Sequence, residues 1–194
     1  MKSTEPHIMQ FFPTPVYSIL DNLIVEKMLP IAKKYLSDKS ELTNAWNYKN
    51  TYKPDVGLEI HDDMKEFSDY IINKAREFTD ILGFQPDNWK LNIFASEMTK
   101  GDHHGSHPHP NCIYSGILYL QVPEKSSPLM FIDPRNHAKF VLPRVKEYTH
   151  LNSPVAVVTP LPGLFLMWNS WIEHMVPPNE TDGQRITLVF NLFK

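Results

Sequence analysis

Seventeen prolines are spread along most of this 194-residue chain, against only seven glycines. Each proline removes a backbone donor and fixes φ, so it belongs in turns and at strand edges and interrupts long helices. The apolar runs between the prolines are short. Together they predict many short strands joined by rigid turns rather than a bundle of helices.

A chain of this length suits one domain with a sizeable core, expected over residues 1–194. Residues 1–87 read as helical support and an edge strand, and 88–194 as a β core. Phe11 to Ile19, with Pro13 and Pro15, has the character of an opening edge strand. Asp21 or Asn22 can cap a helix running to about Leu36, with a kink expected at Pro30. Leu42 to Leu58 is polar, and Trp46, Tyr48 and Tyr52 fit alternation in a strand better than a cover over a pocket.

Asp63-Met64-Lys65-Glu66 has the form of a capping box, and Met64, Phe67, Tyr70, Ile71, Ala75, Phe78, Ile81 and Leu82 follow at helical spacing until Gly83. From Asn88 the pattern turns to strands: Trp89 to Ser96, Ile113 to Val122, Leu129 to Asp133, Lys139 to Leu142, Val155 to Pro160, Gly163 to Trp168, Glu173 to Val176 and Arg185 to Leu192. Two helices and then about eight short strands predict a β-sandwich or jelly roll with the helices packed on one sheet.

Composition narrows the function classes. A formal net charge of −3 with 21% charged residues leaves no basic block or stripe, which argues against a nucleic-acid partner. The longest apolar run, Leu161 to Trp168, is broken by Pro162 and Gly163 and is too short to cross a bilayer. Met1 to Gln10 has no apolar signal core, and Cys112 is the only cysteine, so a cytoplasmic protein is expected. Cys112 fits a small buried residue beside a strand better than a nucleophile. Oligomeric state is not legible.

The chemistry gathers in three places. His107 and His109 lie two apart in Gly101 to Asn111, and side chains at i and i+2 of an extended segment point the same way, close enough to share a metal. Pro108 and Pro110 bias each preceding histidine toward extended geometry. His174 offers a third imidazole. In the last strand Arg185, Thr187, Val189 and Asn191 share one face, opposite Ile186, Leu188, Phe190 and Leu192, which points the Arg185 guanidinium into an interior. A buried guanidinium requires an anion, either an internal carboxylate or a ligand carboxylate that Thr187 would also contact.

These residues resemble the double-stranded β-helix oxygenases that use Fe(II) and 2-oxoglutarate. In that superfamily an HxD or HxE pair and a distal histidine hold the iron, and a basic residue some ten positions further on binds the far carboxylate of 2-oxoglutarate. His174 and Arg185 match that order and spacing, and Arg185-Ile186-Thr187 is similar to the family's RxS element. More closely, the chain resembles a subgroup of small bacterial and phage oxygenases. The similarity runs through Phe12 to Tyr17, His107 to Pro110, Ser115 to Pro123, Asp133-Pro134-Arg135 and Arg185 to Leu192.

The resemblance implies a double-stranded β-helix, a jelly roll of cupin type with the N-terminal helices on one sheet. It implies Fe(II) and 2-oxoglutarate as cofactors, O2 as co-reactant, and hydroxylation of a substrate that the sequence does not identify. One position departs from the pattern, because His109 stands where Asp or Glu is usual. The site residues expected are therefore His107, His109 and His174, with Arg185, Thr187, Asn111 and Tyr119 toward 2-oxoglutarate; a strand that stays regular past Pro110 gives Asn111, Ser115 and Tyr119 the parity of the two histidines and lines the pocket with them. Three neutral imidazoles would leave Fe(II) at +2, which the dianionic cosubstrate would cancel. A rival set recruits Asp102 or Glu173 as the carboxylate and moves His109 outward. His103 and His104 read as solvated loop histidines. Two other functions stay open: a cupin-like three-histidine metalloprotein working without 2-oxoglutarate, and a noncatalytic jelly-roll binding module.

Overall fold

The structure is a computed structural model that describes residues 7–39, 47–135 and 142–194. Among these residues ten strands form two antiparallel sheets. The larger sheet contains β1 (Val16–Leu20), β2 (Lys49–Asn50), β3 (Lys90–Met98), β5 (Tyr114–Gln121), β8 (Leu164–Asn169) and β10 (Arg185–Phe193), in the order β1-β8-β5-β10-β3-β2. The smaller contains β4 (His104–His107), β6 (Leu129–Ile132), β7 (Val155–Val158) and β9 (His174–Val176), in the order β4-β9-β6-β7. This is the double-stranded β-helix architecture the sequence predicts.

Strand alternation divides the larger sheet into two differently used faces. Ile93, Ala95, Leu118, Phe165, Leu188 and Phe190 point outward into a core shared with the helices. Ile117, Tyr119, Leu166, Trp168 and Met98 point inward and pack against Leu129, Phe131 and Val176 of the smaller sheet. A central strand such as β10 is apolar on its helix side and polar where it meets the cavity between the sheets.

The helices α1 (Asn22–Ser37) and α2 (Lys65–Ile81) cover the outer face. Asp21 caps α1 by accepting from the backbone of Leu23 and Ile24, and the helix continues through Pro30. α2 buries Phe67, Ile71, Ala75 and Phe78 on one stripe and ends at Gly83, whose φ of 75° closes the last turn. The expected capping box does not form. Asp63 lies in the 3-10 turn Asp62–Met64 and accepts from Lys34 Nζ at 2.8 Å and Tyr35 Oη at 2.5 Å, so its carboxylate ties α2 to α1 instead.

Three other expectations are revised. The edge strand begins at Val16, not Phe11. β4 occupies a stretch read as loop. Tyr48 and Tyr52 flank only a two-residue strand and line the cavity, while Trp46 and most of the strand expected at 139–142 lie outside the described residues. No described helix is long and apolar enough to cross a membrane.

Candidate metal centre and cavity

A cavity of about 340 Å³ opens between the sheets, and three histidines reach it from separate places in the chain. His107 ends β4 and pairs in register with His174 on β9. His109 lies beyond β4 in a turn, held by its backbone N–H on the Ser170 carbonyl at 2.9 Å. Their nearest ligand atoms all lie within 4.8 Å of one another.

The tautomers follow from the backbone. His107 donates Nδ1–H to Gly105 O at 2.7 Å, and His174 donates Nδ1–H to Ile172 O at 2.9 Å. A carbonyl only accepts, so both rings carry their proton on Nδ1 and present an Nε2 lone pair. His109 Nε2 lies 3.3 Å from His174 Nε2 with the two rings nearly parallel. Burial, reinforced by the neighbouring imidazoles, pulls His109 down to about 3 and His174 to about 4, and burial also lowers His107. Neutral imidazoles with convergent lone pairs are the donor set of a transition-metal site, so the residues present fit Fe(II).

The carboxylates considered from sequence are engaged elsewhere. Asp102 Oδ2 accepts from the Thr99 N–H at 2.7 Å and the Thr99 hydroxyl at 3.1 Å, closing a loop. Glu173 accepts from Ser106 Oγ at 2.7 Å on the exposed side. Among the described residues neither joins the cluster of convergent donors.

His104 is not a solvated loop residue. Its ring stacks on His107 at 3.9 Å between centroids, Tyr48 Oη lies 3.2 Å from its Nδ1, and burial takes it down to about 3. His103 is half-buried at the loop, with Asn47 Nδ2 3.1 Å from its Nε2.

Arg185 is 2% exposed, and among the described residues no carboxylate lies within ion-pair distance of it. Its guanidinium donates to Ser127 O at 3.0 Å and touches Met98 Sδ at 2.6 Å, while Nε has no partner. A thioether is a weak acceptor, so most of this buried charge is uncompensated. Burial lowers the guanidinium's affinity for its proton, offset in part by Tyr119 and Tyr48. Tyr119 is fully buried, its hydroxyl has no partner, and burial raises it to about 12.

The cavity floor is ordered in rows across the larger sheet. Thr187 and Ser96 form the row next to Arg185 and share a hydrogen bond of 2.7 Å, while Tyr119, paired with Thr187 in register, is fully buried behind the cavity lining. Ile117, Val189 and Phe94 form an apolar row beyond it. Trp168, Ser115 and Asn191 form the last. Asn111 is absent from the floor: its φ of 67° breaks the strand and leaves it exposed on the turn, so the expected parity from His107 to Tyr119 does not hold.

Sequence reasoning missed His104, Met98 and Trp168; it placed Ser115 in the pocket and Asn191 on the Arg185 face without linking the two.

Residues 92–191 match the model of a protein family described as "Putative 2OG-Fe(II) oxygenase". No curated protein matches the sequence. Among solved structures, a prolyl-4-hydroxylase from Pseudomonas putida superposes with a TM-score of 0.66 at 13% identity, covering 93% of each chain. HygX from Streptomyces hygroscopicus, solved with nickel, 2-oxoglutarate and hygromycin B bound, gives 0.62 at 14% identity over 93% of this chain and 83% of that one. The epimerase SnoN in complex with Fe3+, alpha ketoglutarate and nogalamycin RO gives 0.66 at 14%, over 93% and 79%. At such identities the likeness is one of fold.

Proposed function

The chain belongs to the 2OG-Fe(II) oxygenase family and is an Fe(II)- and 2-oxoglutarate-dependent dioxygenase, and from that premise we propose that His107, His109 and His174 hold the iron while Arg185 anchors the cosubstrate. The observation that carries this reading is the pairing of three convergent neutral imidazoles with a buried guanidinium that meets no carboxylate among the described residues, in one cavity. When bound, iron and 2-oxoglutarate supply the oxidising power of O2 to hydroxylate a second substrate.

The protein's own groups bind and orient. The Gly105 and Ile172 carbonyls hold the His107 and His174 rings in the tautomer that leaves Nε2 free. His104, stacked on His107, keeps that ring from turning. Arg185 takes the far carboxylate, since a planar fork binds both oxygens, and the ligand would supply the anion the buried charge lacks. Tyr119 and Thr187, on the adjoining row, add hydroxyl donors. Phe131 and Trp168 wall the His174 side and exclude water.

The whole of 1–194 works as one unit in this reading, since the helices brace the outer face of the sheet that carries Arg185. A cytoplasmic setting suits the single thiol of Cys112.

Anaerobic titration of Fe(II) with and without 2-oxoglutarate, followed by visible absorption, tests the assignment. The native chain is expected to give a charge-transfer band that Arg185→Ala loses at the same cosubstrate concentration and His174→Ala loses at any. Unchanged cosubstrate affinity in Arg185→Ala would remove the anchor from its role.

A further inference from the structure

With 2-oxoglutarate at the Arg185 end, the opposite end of the cavity, six residues away along β10, is left for a second ligand. That distance is about 20 Å for an extended strand. There Ser115 Oγ donates to Asn191 Oδ1 at 2.8 Å and shares a 2.7 Å bond with Ser170 Oγ. Ser115 and Ser170 are fully buried and Asn191 is 7% exposed. The bond to Oδ1 fixes the Asn191 amide and turns Nδ2, which has no partner among the described residues, toward the cavity it lines. Nδ2 opens on the cavity and is not sealed in protein, so the fixed amide holds its N–H donors ready for an acceptor that enters there.

The surroundings limit what that can be. Ile117, Val189 and Phe94 make the adjoining row, and Tyr52 packs edge-on against Phe94 at 5.2 Å. Among the described residues no aspartate, glutamate or lysine lines the cavity, and the arginine that does is at the far end. With the metal's positions taken by the histidines and 2-oxoglutarate, an ammonium group would find no side-chain counter-ion among the described lining residues and a carboxylate no lysine or arginine at this end, so either would lose hydration with little compensation.

We propose that the Asn191 end of the cavity seats the substrate, and that the part seated is uncharged: an apolar framework bearing a carbonyl oxygen that accepts from Asn191 Nδ2. The proposal rests on the functional reading in one respect, that 2-oxoglutarate takes the Arg185 end.

Three probes that share a six-membered ring and differ in charge test it: cyclohexanecarboxamide, cyclohexanecarboxylate and cyclohexylmethylammonium. Each is titrated into the full chain loaded with Zn(II) and saturated with 2-oxoglutarate, and the NMR shift of the Asn191 side-chain amide is followed. The carboxamide is expected to bind and move that signal, with both charged probes weaker by about tenfold or more. Asn191→Leu is expected to weaken the carboxamide by about fivefold to tenfold, one lost hydrogen bond, while leaving 2-oxoglutarate binding unchanged.

Equal binding of the ammonium probe, no carboxamide binding, or an unchanged affinity in Asn191→Leu would overturn the proposal. If Asn191→Leu does not fold, Asn191→Asp serves: it can keep the Ser115 bond and adds a charge, so preference should pass to the ammonium probe, and a retained carboxamide preference would overturn the proposal. Repeating the carboxamide titration without 2-oxoglutarate separates the two readings. Loss of cosubstrate binding alone counts against the anchor, and loss of Asn191 dependence counts against the subsite.

Discussion

His107 and His174 face each other in register across β4 and β9, and each donates its Nδ1–H to the carbonyl two residues before it. One local device therefore sets both tautomers before any metal arrives. Long-range ¹H–¹⁵N correlation spectra of the metal-free chain at pH 7.5 should show both rings protonated at Nδ1, and Zn(II) should shift Nε2 while Nδ1 stays protonated. A Nδ1-bound metal at either ring would refute the geometry.

Acid stability follows from the same burial. His104 and His109 are pushed down to about 3 and His174 to about 4, whereas an unfolded histidine titrates near 6.5. Between those values the unfolded chain binds more protons, so stability is full above about pH 6.5 and falls as the pH drops toward the folded values. Each group adds at most about 1.4 kcal/mol per pH unit within that window. The metal-free melting temperature should therefore fall steeply from pH 7 to pH 5, and His104→Phe, which keeps a stacked ring without a titrating nitrogen, should flatten the slope. An identical slope in that variant would show that His104 does not contribute.

The sequence made the last strand legible because its alternation is regular: Ile186, Leu188 and Phe190 against Arg185, Thr187 and Asn191. β4 was hidden for the opposite reason. His104-Gly105-Ser106-His107 has no apolar periodicity, and its extended form comes from pairing with β9, some 70 residues away by the register of His104 with Val176. The metal trio was found by residue type, but its geometry was not, since His109 is aimed by a turn anchored on Ser170 and not by strand parity. Asp63 had the spacing of a helix cap, yet Lys34 and Tyr35 from α1 compete for its oxygens. Links such as Ser115 to Asn191, 76 residues apart, depend on topology that no local pattern encodes.

Asp102→Asn and Glu173→Gln separate structural carboxylates from metal ligands. Asp102 closes the loop through Thr99, so Asp102→Asn should lower stability by about 1 kcal/mol and leave Fe(II) affinity within about twofold. Glu173→Gln should leave both nearly unchanged, because Glu173 bonds only exposed Ser106 among its side-chain contacts. A drop of about tenfold or more in metal affinity from either would restore a carboxylate to the site.

Tyr119→Phe isolates a hydroxyl that the folded chain does not satisfy. Removing a buried polar atom that has no partner should leave the melting temperature unchanged or raise it. If the hydroxyl donates to the cosubstrate beside Arg185, 2-oxoglutarate affinity should fall by about fivefold to tenfold at the same time. Calorimetric titration and a thermal melt of one preparation read both, and a fall in stability with unchanged affinity would make Tyr119 a packing residue.

Gly116 tests how tightly the helix face of β5 is closed. A Cβ at this position would lie 2.1 Å from Phe190 Cζ and 2.4 Å from the Leu166 carbonyl oxygen, and the second contact is to the backbone of the neighbouring strand. Phe190 stacks on Phe165 at 5.2 Å and meets Phe67 of α2 edge-on, so its ring has little room to retreat. Relief would require β8 to move away from β5, and β8 also carries Trp168 against His174. Gly116→Ala should therefore destabilise the chain by about 2 kcal/mol or more and weaken metal binding along with it, although residue 116 points away from the cavity. Thermal melting and Zn(II) titration of that variant check both effects; full stability would mean that the β5–β8 spacing adjusts freely and does not set the position of His174.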